Sequence, residues 1–502
     1  MNHSGNKIKF NSNLLRLKSF FPNVYLSLFV LISFFLLSFI GICHHEIWLD
    51  EAQHFLIARD SHTLSALFTA CRREGHPLLW NIILFLVTRF SSDPFYMQLV
   101  HILISTITVA IILKTNLSSA EKILIIFGYF IFYEYNIISR NYGLSVLLMI
   151  FLIYSYKRNY LSLVRLAVIL FFLAQTHLFS LLFSVAFVLT YILKNRNQLL
   201  KQTTGTLFIS ILIILSGWLI SAYCIFPSWN YGIKFISYDS TGYFSSERII
   251  KTLSVCLKGI FYVPDYNAAD HHFINTLYFM TLNLKAWVIY LLSLAAIAIP
   301  VFILRANRFA LIFFCSFLLI FISVYFFMPL VYGIRYFGFF YVVFVCCYLI
   351  ARPEISKTGI VISIMIFFLQ FCNGFYAYSM DLHYPFSEGK DVSNYLEKVR
   401  INHEKVYILD RTLRPAISAY MREKFFGTEN GLPLSYCLWE KKLPDSILKL
   451  KLTTALNSDN TALIVANTPF HNLVDTTKVQ RLASFNNGIF VGENATVYRY
   501  WK

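Results

Sequence analysis

The chain has 502 residues, of which 57% are hydrophobic and only 14% charged, whereas a soluble domain carries about 25% charged residues. Several apolar runs reach roughly 20 residues, the length that crosses a bilayer, which excludes a soluble globular protein and predicts a polytopic α-helical membrane protein. The net charge of +17 fits Lys and Arg gathered in cytoplasmic loops, and no basic run carries a recognition motif, so no nucleic-acid partner is expected.

Residues 1–23, with Lys7, Lys9, Arg16 and Lys18, form a basic cytoplasmic N-terminus. The apolar stretch 24–42 has no small-residue cleavage site behind it and reads as a signal anchor. An external loop, 43–94, follows. Its 78–90 segment is apolar but only about 13 residues long, which suits an interfacial helix better than a span. Further spans are expected over 95–113, 123–138, 142–156, 163–176, 178–193 and 207–226. A second external loop, 227–285, precedes spans over 286–304, 309–328, 332–350 and 360–376, making about eleven. The short turns placed in the cytoplasm each carry at least two Lys or Arg. Counting 78–90 as a crossing would put those turns outside, against the positive-inside rule.

The transmembrane domain is thus 24–378. From 379 to 502 charged residues become frequent and apolar runs shorten to strand length. Strands are expected over 405–410, 462–467, 479–485 and 495–501, with a helix over 414–424, giving a small extracytoplasmic α/β domain. None of the nine cysteines makes a C-x-x-C pair. Cys43 and Cys71 flank the first external loop and can bridge if it faces an oxidising compartment.

Chemistry-bearing residues gather on the external side. Asp50 and Glu51 are adjacent on a helical segment and point roughly 100° apart. One can take a proton from an attacking hydroxyl while the other binds a cation or holds a partner; the plainer reading is a solvated pair capping a juxtamembrane helix. Glu74-Gly75-His76 precede Pro77, which suits a first helical turn, and a helix N-terminus favours anions. Arg140, beside Asn141 and Tyr142, can pair with Asp50 or Glu134 or bind a phosphate. Arg335, beside Tyr336, can grip a phosphate bidentately. Both arginines can equally be snorkelling boundary residues. In the second loop stand Asp265, Asp270, His271 and His272; Glu74 with His271 or His272 would make a divalent-metal site. Acidic residues from one loop and arginines from later turns, at one depth above apolar spans, suit a lipid-phosphate donor.

The pattern Trp48-Leu49-Asp50-Glu51-Ala52, then Glu74-Gly75-His76-Pro77-Leu78, then Arg140-Asn141-Tyr142, resembles the GT-C fold glycosyltransferases. It is nearest to the branch containing protein O-mannosyltransferases, aminoarabinose transferases and RgtA/B/C/D-like proteins. The resemblance covers about residues 20–376, and Pro385–Lys390 looks like the extracytoplasmic tail of bacterial relatives. Where many relatives carry two prolines, this chain has His76-Pro77. The resemblance implies an inverting transfer of a sugar from a polyprenyl-phosphate donor to an envelope glycan, lipid or protein, at the outer face of the bacterial inner membrane. Asp50 matches the acidic base and Glu51 its motif neighbour. Glu74, His76, Arg140, Tyr142, Arg335 and Tyr336 are expected at the donor phosphate or substrate. Glu74 matches an acidic position that contributes to a metal site in some relatives, so a divalent metal ion is the one cofactor expected. A transporter and a non-catalytic envelope assembly protein are the alternatives; the first would place polar groups or broken helices at mid-membrane.

Overall fold

A computed structural model describes residues 8–226, 245–264, 284–327, 333–401, 404–439, 443–467, 470 and 472–502. The first span, Val24–His44, is the end of a longer helix, α1 (Ile8–His44). Three short helices fill the following loop: α2 (Leu49–Asp60), α3 (Leu64–Glu74) and α4 (Leu79–Phe90). At 12 residues α4 is too short to cross a bilayer, as its sequence predicts. Gly75 ends α3 at φ 69°, a left-handed turn that costs glycine little.

After α5 (Phe95–Leu113), the Ser118/Glu121 capping box starts α6 (Ser119–Ile126). The span expected over 123–138 is not one α-helix. It breaks at Phe127 and Gly128 and resumes as a π-helical turn, Tyr129–Glu134, before α7 (Asn141–Lys157). An aromatic run drives this: the Phe127 and Phe132 rings pack on Phe375, and the Phe130 ring packs on Tyr341. Close approach needs Gly374, where a Cβ would lie 2.6 Å from the Phe127 carbonyl oxygen. The expected spans over 142–156 and 163–176 are also short, as the 17-residue α7 and the 12-residue α8 (Leu163–Ala174).

The remaining helices are α9 (Leu178–Leu199), α10 (Thr204–Ile225), α11 (Ser246–Ile260), α12 (Ala286–Leu304), α13 (Arg308–Phe327), α14 (Ile334–Ala351) and α15 (Lys357–His383). Among the described residues eight helices are long and apolar enough to cross a membrane. Of the roughly eleven expected crossings, three are therefore shorter or broken. The core of the bundle is α14: 89% of its apolar stretch is buried, against 28–44% for the other seven. A helix apolar on every side is stable only when other helices surround it, and α7, α9, α11 and α13 do so. Lys157, Arg158 and Arg352 line one pocket at the far end of α7 from Arg140, about 25 Å along the helix axis. Cys43 and Cys71 are free thiols, the first exposed and the second buried.

Helix α15 runs on past residue 378 to His383 and leads directly into the α/β tail. The tail comprises α16 (Gly389–Val399), β1 (Lys405–Ile408), α17 (Arg414–Met421), a small hairpin of β2 (Phe425–Phe426) and β3 (Pro433–Leu434), α18 (Asp445–Asn457), β4 (Thr461–Ala466), β5 (Val479–Phe485) and β6 (Ala495–Trp501). The main sheet has the order β1-β4-β6-β5, with β1 and β4 parallel and the other pairs antiparallel. Period-two alternation explains its burial on both faces. Val406, Ile408, Leu463 and Val465 pack with α16 and α17, while Tyr407, Ala462 and Ile464 pack with α18. Helices α16 and α18 add to the expected elements.

The Arg414–Glu429 pair is buried at 2.6 Å, whereas the Arg400–Glu423 pair leaves Glu423 42% exposed. Arg414→Ala should destabilise the tail by about 3–5 kcal/mol by stranding a buried carboxylate. Arg400→Ala should cost under about 1 kcal/mol. Thermal unfolding of the two variants in detergent checks the contrast.

Candidate active site

The site is built on the first turn of α2. Asp50 and Glu51 are the acidic residues of that turn, where the helix dipole favours negative charge. The 100° between neighbours on a helix sends their carboxyls to different places. Glu51 turns inward and is fully buried. Its Oε2 meets His45 Nε2 at 3.0 Å, and its Oε1 accepts the Ser139 backbone N–H at 2.5 Å. The other ring nitrogen of His45 contacts Asp381 on α15 at 2.7 Å, and the Tyr133 hydroxyl donates to the same carboxyl at 3.1 Å. Burial works against an imidazolium here. The Asp381 and Glu51 carboxylates outweigh it and hold the His45 pKa well above its usual value. Glu51 therefore anchors the turn that carries Arg140, away from the cavity.

Asp50 faces the other way. Its Oδ2 is buried and lies 2.8 Å from Arg140 Nη1 and 2.9 Å from Arg335 Nη2. Burial raises its pKa, and the two guanidiniums more than offset this, so the carboxyl lies below the usual carboxylate range. Glu134 instead accepts the Tyr129 hydroxyl at 2.8 Å. Tyr142 and Tyr336 complete the cluster: Arg140 lies 5.3 Å over the Tyr142 ring and Arg335 5.1 Å over that of Tyr336. The Nε–H groups of Arg140 and Arg335 are buried with no acceptor among the described residues. The expected Asp50, Arg140, Tyr142, Arg335 and Tyr336 thus converge from α2, α7 and α14.

Asp50 and Arg335 open into a cavity of about 1010 Å³. Its walls are mostly apolar, including Leu257, Phe261, Ile289 and Leu292. Two lysines of α11, Lys251 and Lys258, line it, as do Trp439 and Phe490 of the tail. Burial pulls the Lys258 ammonium down to about 8.

Glu74 and His76 form a separate patch. Glu74 accepts Gln53 Nε2–H and Trp439 Nε1–H, each at 2.9 Å. Burial pushes its carboxyl up to about 7. The His76 ring meets that of His54 at 5.0 Å and that of His177 at 6.1 Å. Burial, with Arg140 nearby, pulls His54 down to about 3, and burial holds His76 well below the usual range. Both imidazoles are neutral. His271 and His272, expected to join Glu74 at a metal, lie outside the described residues. Among the described residues no three His, Cys, Asp or Glu side chains assemble as a metal-binding set.

Sequence reasoning did not single out His45, His54, Lys258, Asp381, Trp439, Phe490 or Glu493. His45 and Glu46 carry a local signal, as polar neighbours of the Asp50-Glu51 pair. Asp381 stands 336 residues from the histidine it contacts, a distance no local pattern bridges.

This is a polytopic membrane protein with the GT-C architecture that its motifs predict. Its fold is similar to the crystal structure of ArnT from Cupriavidus metallidurans bound to undecaprenyl phosphate. The TM-score is 0.51 at 10% sequence identity, covering 95% of this chain and 97% of that one. No protein-family model and no curated protein sequence matches the chain.

A raised carboxyl pKa means the protonated form persists to higher pH. Glu74 should therefore gain its proton as pH falls through about 7. Infrared difference spectra should show a buried C=O stretch rising across that range, absent in Glu74→Gln.

Proposed function

We propose that the protein is an inverting glycosyltransferase that moves a sugar from a polyprenyl-phosphate donor to a hydroxyl of an envelope glycan, lipid or protein, at the outer face of the bacterial inner membrane. One observation carries the reading: Asp50 is held between the buried Arg140 and the half-buried Arg335 at the mouth of a large apolar cavity. A lipid phosphate needs an apolar slot for its tail and cations at its head, and this cavity offers both. The undecaprenyl phosphate bound by the similar ArnT structure supports the same donor class.

The chemistry follows as a single displacement. The acceptor oxygen attacks the anomeric carbon, the bond from that carbon to the phosphate oxygen breaks, and the bonding electrons leave with the polyprenyl phosphate. The acceptor proton passes to Asp50. Arg335 and Arg140, whose Nε–H groups have no acceptor among the described residues, stabilise the departing phosphate. Asp50 flanked by both arginines is a weak base. An arriving phosphate competes for those guanidiniums, which raises the Asp50 pKa when the donor is in place. Donor binding thereby prepares the base. Glu51 takes no part in the proton transfer and holds the Arg140 turn. A divalent metal would be held by Glu74 with His271 or His272 of the 227–285 loop, and no step of the displacement runs through it.

Asp50→Asn should abolish transfer while the protein still inserts and accumulates. Mass spectrometry of envelope glycans, with and without the variant, checks this, and near-normal transfer would sink the reading. Lys258 is charged below about pH 8 and neutral above it. Affinity of the purified protein for undecaprenyl phosphate should fall as pH rises through about 8. Lys258→Met should bind more weakly and lose that step.

A further inference from the structure

The tail packs α17 along α2 and bonds Gln53 at Cys437, and a separate turn reaches the first turn of α2. Ile489 and Phe490 donate their backbone N–H groups to the carbonyls of Pro385 and Phe386, at 2.8 and 3.0 Å, just past the end of α15. This pairing fixes the Val491–Glu493 turn. Glu493 is wholly buried. Its Oε1 accepts the Leu49 backbone N–H at 2.6 Å, and its Oε2 accepts the Ser387 hydroxyl at 2.5 Å. The first N–H groups of a helix have no partner within it, and Leu49 is the residue directly before Asp50. A residue 444 positions away thus caps the turn that presents the carboxylate.

The same turn touches the site a second way. The Phe490 ring packs 4.6 Å from that of Trp48, and the Arg335 guanidinium lies 5.1 Å over the Trp48 ring. Trp439, Phe490 and Trp48 share the cavity wall with Asp50 and Arg335.

We propose that Glu493 is a positioning residue for the transfer reaction, through which the tail sets the first turn of α2 and so the placement of Asp50 between Arg140 and Arg335. This rests on the glycosyltransferase reading above. Both groups donating to Glu493 are neutral, so its task is geometric and needs an acceptor oxygen more than a charge. Burial pushes its carboxyl up to about 8, leaving it largely protonated at neutral pH. A neutral amide should serve in its place.

The test compares Glu493→Ala, Glu493→Gln and Asp50→Asn in the full-length protein. Three quantities are read: envelope-glycan transfer in cells by mass spectrometry, undecaprenyl phosphate binding by purified protein, and amide exchange across the first turn of α2. Glu493→Ala should lower transfer about tenfold or more, because small misplacements of reacting groups are costly, while undecaprenyl phosphate affinity stays within about twofold. Exchange at Leu49–Ala52 should quicken, and Glu493→Gln should restore most of the transfer and the protection. Wild-type transfer in Glu493→Ala overturns the proposal. So does a glutamine variant as impaired as the alanine one, or a transfer loss matched by an equal loss of lipid-phosphate binding. If Glu493→Ala does not accumulate, Ser387→Ala frees one carboxyl oxygen without touching α2 and should move the same readouts in the same direction; no movement overturns the proposal. Asp50→Asn separates the two ideas. If it leaves the glycans unchanged, the glycosyltransferase reading itself fails; if it abolishes transfer and Glu493→Ala does not, only the positioning role fails.

Discussion

A buried histidine between two acidic side chains holds this site together. His45 links Asp381 on the last span to Glu51 on α2, and Glu51 in turn holds the Ser139 N–H beside Arg140. Arg140 then reaches Asp50, which Arg335 of the central helix shares. Elements far apart in the sequence are thus tied by polar groups that are buried at His45, Glu51, Asp381 and Arg140 and half-buried at Asp50 and Arg335. Removing one member of such a set strands its partners and typically costs about 3–5 kcal/mol. This is why a loop between two spans is ordered here, although connecting loops are usually the mobile parts of a fold. It also divides the labour of the acidic pair: Glu51 holds, and Asp50 is presented.

The arginines set the protonation pattern around them. They keep Asp50 ionised despite its burial, and Arg140 adds to the desolvation that keeps His54 and His76 neutral. Glu74, satisfied by an amide and an indole rather than a cation, titrates near neutrality instead. Four titratable groups in one loop therefore fall into three protonation regimes: burial dominates at His54, His76 and Glu74, and the two arginines dominate at Asp50.

Much of this was legible in the sequence. Length and apolarity identified most of the spans, and α4 is as short as its apolar run indicated. Period-two alternation located β1, β4, β5 and β6. The motifs brought Asp50, Arg140, Tyr142, Arg335 and Tyr336 to one place, because residues at the boundary of successive spans share a depth. The π-helical turn at Tyr129–Glu134 was not legible. Its sequence is apolar throughout, and only packing against Phe375, Tyr262 and Tyr341 selects the irregular geometry. Nor were the partners of His45 and Leu49, since hydrogen bonds spanning 336 and 444 positions leave no periodic trace.

The broken crossing at Phe127 and Gly128 bears on how the protein is made. Segments α6, α7 and α8, at 8, 17 and 12 residues, fall short of the roughly 20 that partition stably into lipid alone. The helix that packs most extensively on α6 and the π-helical turn is α15, which follows them far along the chain. Phe34 of α1 and Tyr341 of α14 also pack on the break, but without α15 its cover is incomplete, and irregular backbone at membrane depth is tolerated only where protein surrounds it. The middle of the bundle is therefore fully enclosed only once α15 has docked.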